Sequence, residues 1–239
     1  MIVLLASSKT LNLEKLDCPF TSSPLLLAHA KSLLTEFKNY SALELQQKMK
    51  ISSKLADQTY SWFKDATLLP NVPCALPAIL MFEGMVFKYI DVGNYSLNEL
   101  EFAQKHLRIL SGLYGILRPL DLIEPYRLEM ALVTNYWKEA VPHFLVTEKD
   151  DVIVNLASQE YYNVVGKTGK KVITPVFKEY KNGEYKIITI FTKFARGMMA
   201  NWIIKNKIVD PQKLKEFSEG GYSYSPELSE GDLLIFTRN

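Results

Sequence analysis

Between His106 and Met130 the chain reads HLRILSGLYGILRPLDLIEPYRLEM, a stretch dense in side chains able to do chemistry. Arg108, Arg118 and Arg127 are interspersed with Asp121, Glu124 and Glu129 in a segment otherwise rich in leucine and isoleucine. A guanidinium forks two hydrogen bonds to carboxylate or phosphate oxygens, so the chemistry offered first is anion clamping. A second possibility is an enzyme acting on a nucleotide or nucleic acid. Lys9 would then be a Schiff-base nucleophile or acid–base group, Asp121 or Glu129 the acid or base, and Tyr126 the residue orienting it. The arginines can also be spent internally, Arg127 on Glu129 and Glu124, and Arg118 on Asp121. Such pairs would hold the shape of a cleft while Lys9, Lys193 and Arg196 meet the ligand. Gly112, Gly115, Pro119 and Pro125 break the backbone path, and the stretch reads as a buried, sharply turned cleft wall.

The elements that must position these groups follow from local patterns. Met1–Ala6 is a continuous apolar run, suited to a buried strand that delivers Ser7, Ser8, Lys9 and Thr10 to its exit. Helices are expected from Ser23-Pro24 to about Lys38, after the Ser41/Glu44 capping box through Lys50, and after Ser52 or Ser53. Thr67–Pro77, with Pro70, Pro73 and Pro77, reads as a loop, Ala78–Phe82 as a short strand and Met85–Ile90 as a helical turn. Ser96 with Glu99 opens a helix written SLNELEFAQKHLRIL, running to Gly112. From there the residues Leu110–Gly115 admit two readings. One is a hairpin between helices whose glycine amides form an anion-binding nest; the other is a strand entered through a glycine turn. Further on, Asp151–Leu156 reads as a strand and Ala157–Tyr162 as a short helix. Lys171–Tyr180 and Glu184–Thr192 form a hairpin through Asn182-Gly183. Ala195–Lys207 is a helix with Met198, Met199, Trp202 and Ile203 on its buried side, Pro211–Phe217 a short helix and Leu233–Thr237 a last strand. Strands and helices mix without regular alternation, which gives an α+β (mixed α/β) class and one compact domain over 1–239.

Composition bounds the function. Net charge is +2 and 48% of residues are hydrophobic, an ordinary globular balance that does not by itself mark a nucleic-acid binder. The charge is segregated, however. Ten basic residues between Lys167 and Lys207 face only Glu179 and Glu184, whereas the sign reverses after Ile208. That asymmetry points either to a polyanion partner or to a solvated charged face. Cys18 and Cys74 stand apart with no neighbouring histidine, and His29, His106 and His143 are far from one another. Neither a metal site nor a disulfide framework is expected. An iron site would need histidines or cysteines in facing sets, so direct iron handling is the weakest reading. No cofactor motif appears: no P-loop, no GxSxG, no HExxH. The first residues lack the basic leader of a signal peptide, and no run reaches membrane-span length.

The LSGLYGILRPLDLIEPYRLEM block closely resembles the signature of the YaaA family of peroxide stress resistance proteins. The likeness extends through SKTL (Ser8–Leu11), ISSKLA (Ile51–Ala56), NLASQEY (Asn155–Tyr161), PVF (Pro175–Phe177) and ARGMM (Ala195–Met199). It implies a cytoplasmic bacterial protein of the oxidative-stress response with a central mixed sheet, flanking helices and a positively charged cleft. It further implies sequence-independent binding to duplex or branched DNA, with a helix-hairpin-helix element proposed. On the residues matched, Lys9, Arg108, Gly112, Gly115, Arg118, Arg127, Lys193 and Arg196 would contact DNA, without metal or cofactor, in a chain expected as a monomer. Three departures stand out. Ala6-Ser7-Ser8 replaces the family's serine-proline-alanine, Lys193-Phe194 replaces a basic pair, and the segment from Met130 to Trp137 is short.

Overall fold

The apolar run at the amino terminus forms strand β1 (Ile2–Ala6), buried along nearly its whole length, as its composition predicts. In the computed structural model, which describes residues 1–14, 18–69 and 72–239, three helices follow it. They are α1 (Leu27–Phe37), α2 (Ala42–Met49) and α3 (Ser53–Asp65). The Ser41/Glu44 capping box forms in both directions, and Ser52 caps α3. Helix α1 starts later than Ser23-Pro24 predicts. The Ser22 backbone is already committed, donating to the Leu120 carbonyl at 2.8 Å and accepting from Leu122 N–H at 2.8 Å, so the chain stays extended there.

The loop expected over Thr67–Pro77 ends in strand β2 (Leu76–Pro77); its Pro70 lies outside the described residues. Ala78–Phe82 is not a strand but the short helix α4 (Ala78–Met81), closed by Phe82 N–H on the Ala78 carbonyl. A short all-apolar run cannot tell a buried strand from a buried helical turn, and here the tertiary partners decide. Helix α5 (Leu97–His106) opens with the Ser96/Glu99 capping box but stops at His106. The LRIL that follows is strand β3 (Leu107–Ser111), drawn out of the helix by pairing with β1 in the register Val3↔Leu107 to Ala6↔Leu110.

Strand β3 turns back into β4 (Gly115–Leu117) with Ser111↔Gly115 as the closing pair. The Gly112–Gly115 segment is therefore a β-hairpin rather than a helix-hairpin-helix, and the glycine-turn alternative is the one that forms. Both glycines are buried and offer no amide nest to a phosphate. Gly112 is needed for packing, because a Cβ there would sit 2.1 Å from the Leu128 carbonyl oxygen. Gly115 has φ +71, and a Cβ would strike the Trp137 ring. Trp137 in turn donates its indole N–H to the Gly112 carbonyl at 2.8 Å.

Strand β5 (Leu122–Ile123) pairs with β2, and two unforeseen helices follow, α6 (Met130–Trp137) and α7 (Ala140–Thr147). Pro142 falls in the first turn of α7, where its missing N–H costs nothing. Then come β6 (Val152–Asn155), α8 (Gln159–Tyr162), β7 (Lys171–Lys181) and β8 (Glu184–Lys186). The β7–β8 turn has Asn182 at φ 55 and Gly183 at φ 85, the left-handed pair an Asn-Gly hairpin demands. The second strand ends at Lys186, short of Thr192, and helix α9 (Thr189–Lys205) begins six residues before Ala195. Thr192, Ala195 and Met199 are all buried at helical spacing, and that face outweighs the local alternation. A 3₁₀ turn over Pro211–Glu216 leads to β9 (Ser223–Tyr224) and β10 (Leu233–Arg238).

The main sheet runs β4-β3-β1-β6-β7-β10-β9, with β8 on the far end of β7. Its five inner strands, β3, β1, β6, β7 and β10, are parallel, and the outer pairings are antiparallel, giving one compact α/β domain with a mixed central sheet. After β1 the chain crosses to β3 on one side; after β6 it proceeds to β7 on the other. The loops leaving β1 and β6 therefore diverge and open a crevice at their carboxyl ends, where ligands of open α/β sheets bind. Among the described residues no helix is long and apolar enough to cross a membrane.

Gly112→Ala is expected to cost about 2–3 kcal/mol by forcing the hairpin off the Leu128 carbonyl. A urea titration reads this as a lower midpoint; an unchanged midpoint would mean that the approach is not rigid.

Candidate functional site

The crevice is built from the loop that leaves β1. Ser7 N–H donates to the Leu110 carbonyl at 2.9 Å, so the loop starts pinned to β3. The Ser8 hydroxyl donates to the Glu83 carbonyl at 3.0 Å and accepts from Thr10 N–H at 3.1 Å. Gly84 lies so close that a Cβ would come 2.3 Å from the Ser8 oxygen. Lys9 rides on this held loop with its side chain 51% exposed.

The opposite wall is α9. A Cβ on Gly197 would meet the Val86 carbonyl oxygen at 2.1 Å, so the helix backbone presses directly on the segment after Gly84. Lys193 and Arg196, three residues apart on one helix face, thereby line the same cavity of about 330 Å³ as Lys9. Neither forms an ion pair or a hydrogen bond through its side chain among the described residues. The Arg196 Nε is buried without a partner, and burial pushes that guanidinium below its ordinary pKa. A half-buried guanidinium whose Nε is desolvated and unpartnered favours an anion.

Behind Lys9 lies the carboxylate of Glu129. Its Oε1 is 3.3 Å from Lys9 Nζ and 3.2 Å from an Arg127 terminal nitrogen. Glu129 Oε2 and Arg127 Nε are both buried with no partner. This arrangement joins the expected internal pairing of Arg127 to the cleft cation Lys9 through one shared acid. On the β6 side, Tyr161 shares the cavity, its hydroxyl 3.4 Å from Ser7 Oγ; burial raises its pKa. Deeper in, the Tyr126 and Ser111 hydroxyls bond at 2.6 Å.

The remaining site candidates are placed elsewhere. Arg108 is buried and donates to Glu148 at 2.6 Å and to the carbonyls of Gln104 and Leu107. Arg118 is held by Asp121, and the Asp121 carboxylate also accepts from Ser22 Oγ at 2.6 Å and Arg118 N–H at 2.8 Å. Asp121 is fully buried with its oxygens occupied, the geometry of a structural clamp. Arg108 and Arg118 share a depression with Asp150, whose carboxylate binds the Met1 amine at 2.6 Å. That depression lies at the amino end of β1, five residues and roughly 16 Å from the crevice. His106 belongs to the same end, bonded to the Met1 carbonyl, with its pKa lowered chiefly by burial. Gly112 and Gly115 are interior. The structure thus brings Lys9, Lys193, Arg196, Arg127 and Glu129 together and keeps Arg108, Arg118 and Asp121 apart.

Sequence reasoning missed Tyr161 and the Met85–Phe87 wall. Tyr161 sat in plain view at the end of the NLASQEY block, whereas nothing local marks Met85–Phe87. Among the described residues no group of three or more histidine, cysteine, aspartate or glutamate side chains is placed to hold a metal.

Arg196→Leu is expected to stabilise the unliganded protein by about 1 kcal/mol, raising Tm by roughly 2–4 °C, because a costly unpaired charge leaves the interior. The sign follows from the lowered pKa: the charged form is disfavoured on folding at every pH where arginine stays protonated. A calorimetric melt checks it, and a lower Tm would show that Arg196 has an unseen partner.

Comparison with known proteins identifies the family. The family model described as peroxide stress protein YaaA matches residues 1–228. A UPF0246 protein of Clostridium beijerinckii is 40% identical over 258 residues, covering 100% of this chain and 98% of its own. UPF0246 proteins of Clostridium perfringens and Acaryochloris marina are each 40% identical over 255 residues, covering both chains fully. The chain belongs to the YaaA family of peroxide stress proteins.

Proposed function

We propose that the chain serves its family's peroxide-stress role by binding the backbone of duplex or branched DNA, without reading sequence, across the Lys9–Lys193–Arg196 cleft. The observation that carries this is the convergence of three cations on one open cleft, two of them without a carboxylate among the described residues. Phosphates brought across the mouth release counterions to the three cations, which supplies affinity with no base contact. The interface is narrower than the family resemblance implies, since Arg108, Arg118 and Arg127 already hold Glu148, Asp121 and Glu129. With about three phosphate contacts, log K should fall with log salt at a slope near −3. DNA as partner places the protein in the bacterial cytoplasm. A single chain builds the whole cleft, so a monomer suffices.

A second reading, an enzyme acting on a nucleotide, is favoured by the contact of Lys9 with Glu129, an amine beside a carboxylate that has a free buried oxygen.

The charge reversal Lys193→Glu with Arg196→Glu tests the binding reading. Duplex affinity should drop and the salt slope should shrink by about two; an unchanged slope overturns the assignment. Lys9→Ala separates the two readings. Binding alone predicts a loss of about one unit of slope with a matching partial loss of peroxide survival. Full loss of survival with that same small binding defect would favour catalysis.

A further inference from the structure

The cleft is not only a charged surface; it deepens into a bounded cavity at the strand ends, and the depth carries a separate consequence. We propose that this cavity is a nucleotide phosphomonoester pocket, holding the terminal phosphate of one nucleotide against Arg196 and Lys193. The inference rests on the DNA-backbone reading of the same cations and narrows what enters between them.

Three observations lead there. The first is size. About 330 Å³ lies at the small end of ligand pockets, enough for a single phosphorylated unit and too little for a duplex. A duplex can lie across the mouth, but only a chain end or a free nucleotide can reach the buried Arg196 Nε. The second is charge. Lys9, Lys193 and Arg196 line the cavity against one carboxylate, Glu160 at the rim, while Glu129 and Arg127 pair with each other behind Lys9. The excess of two positive charges matches a phosphomonoester, which carries about −1.5 to −2 at neutral pH, better than the single charge of a phosphodiester. The third is the wall facing the cations. Val86, Phe87 and Leu156 present apolar surface beside the Ser158 and Tyr161 side chains, a setting for a sugar and base rather than for a bare ion.

The position is also chemically sensible, since the crevice beyond β1 and β6 is where open α/β sheets receive phosphorylated ligands. The orphaned Glu129 Oε2 and Arg127 Nε sit behind Lys9, where they can tie that lysine's position to an occupant's presence. No bond is made or broken in this proposal; it concerns binding alone.

The phosphomonoester can come from a free nucleotide or from a 5′-phosphorylated DNA end, and the test separates them. Isothermal titration with nucleoside 5′-monophosphates, against the same nucleosides without phosphate, reads the free source. A 5′-phosphorylated oligonucleotide duplex against its 5′-hydroxyl twin reads the end. At least one phosphorylated member should bind about tenfold or more tightly than its unphosphorylated partner. Arg196→Leu should erase that preference while the variant still melts cooperatively, which excludes misfolding. Equal binding of both members of each pair, or a preference that survives Arg196→Leu, overturns the pocket. Closed circular duplex keeps the two readings apart, because it has no ends. It continues to bind if only the pocket assignment fails, and stops binding on charge reversal if the backbone reading holds.

Discussion

A strand paired on both edges leaves its chain only one way out, through its ends, and β1 is such a strand. Parallel neighbours cannot be joined by tight turns, so the chain leaves β1 by a long crossover to β3 and leaves β6 by another to β7, in opposite directions. Diverging exits create the crevice, and the crevice sets where Ser7 to Thr10 stand. The rest of the site follows from this constraint: α9 closes the far wall because Gly197 admits Val86 to its backbone, and Glu129 arrives from below because Gly112 admits Leu128.

The charges sort by burial. Buried Arg108 and half-buried Arg118 and Arg238 each come with a carboxylate: Glu148, Asp121 and Glu179. Such pairs recover the desolvation cost only by good geometry, and they are unavailable to a ligand. Several lysines of the basic stretch are likewise engaged, Lys171 by Asp232, Lys205 by Glu99, and Lys170 by the carbonyls of Glu148 and Asp150. Among the described residues Arg196 departs from that background. Its Nε is buried and unsatisfied, as are Arg127 Nε and Glu129 Oε2 close to Lys9. Polar atoms left this way in an otherwise well-satisfied interior mark the part of the fold kept for something else.

How much of this was legible depends on the range of the interaction. Both capping boxes formed where Ser41/Glu44 and Ser96/Glu99 predicted, because a cap is settled within four residues. The Asn182-Gly183 turn formed for the same reason. By contrast, Leu107–Ser111 continues a good helical pattern and becomes a strand only because β1 offers it a partner a hundred residues away. Ala78–Met81 and the onset of α9 were misread for the same cause, a distant surface choosing between two periods that the local pattern allowed.

Residue identity and near neighbours in the chain suffice for the family, the buried first strand, the capped helices and the presence of the cations. Which of those cations are free emerges only with folding. Arg108 and Lys193 look alike as letters, yet one is neutralised at the amino end of β1 and the other faces a cavity at its carboxyl end. The difference is Coulombic and depends on the distance to a carboxylate, a quantity that exists only once the chain has folded.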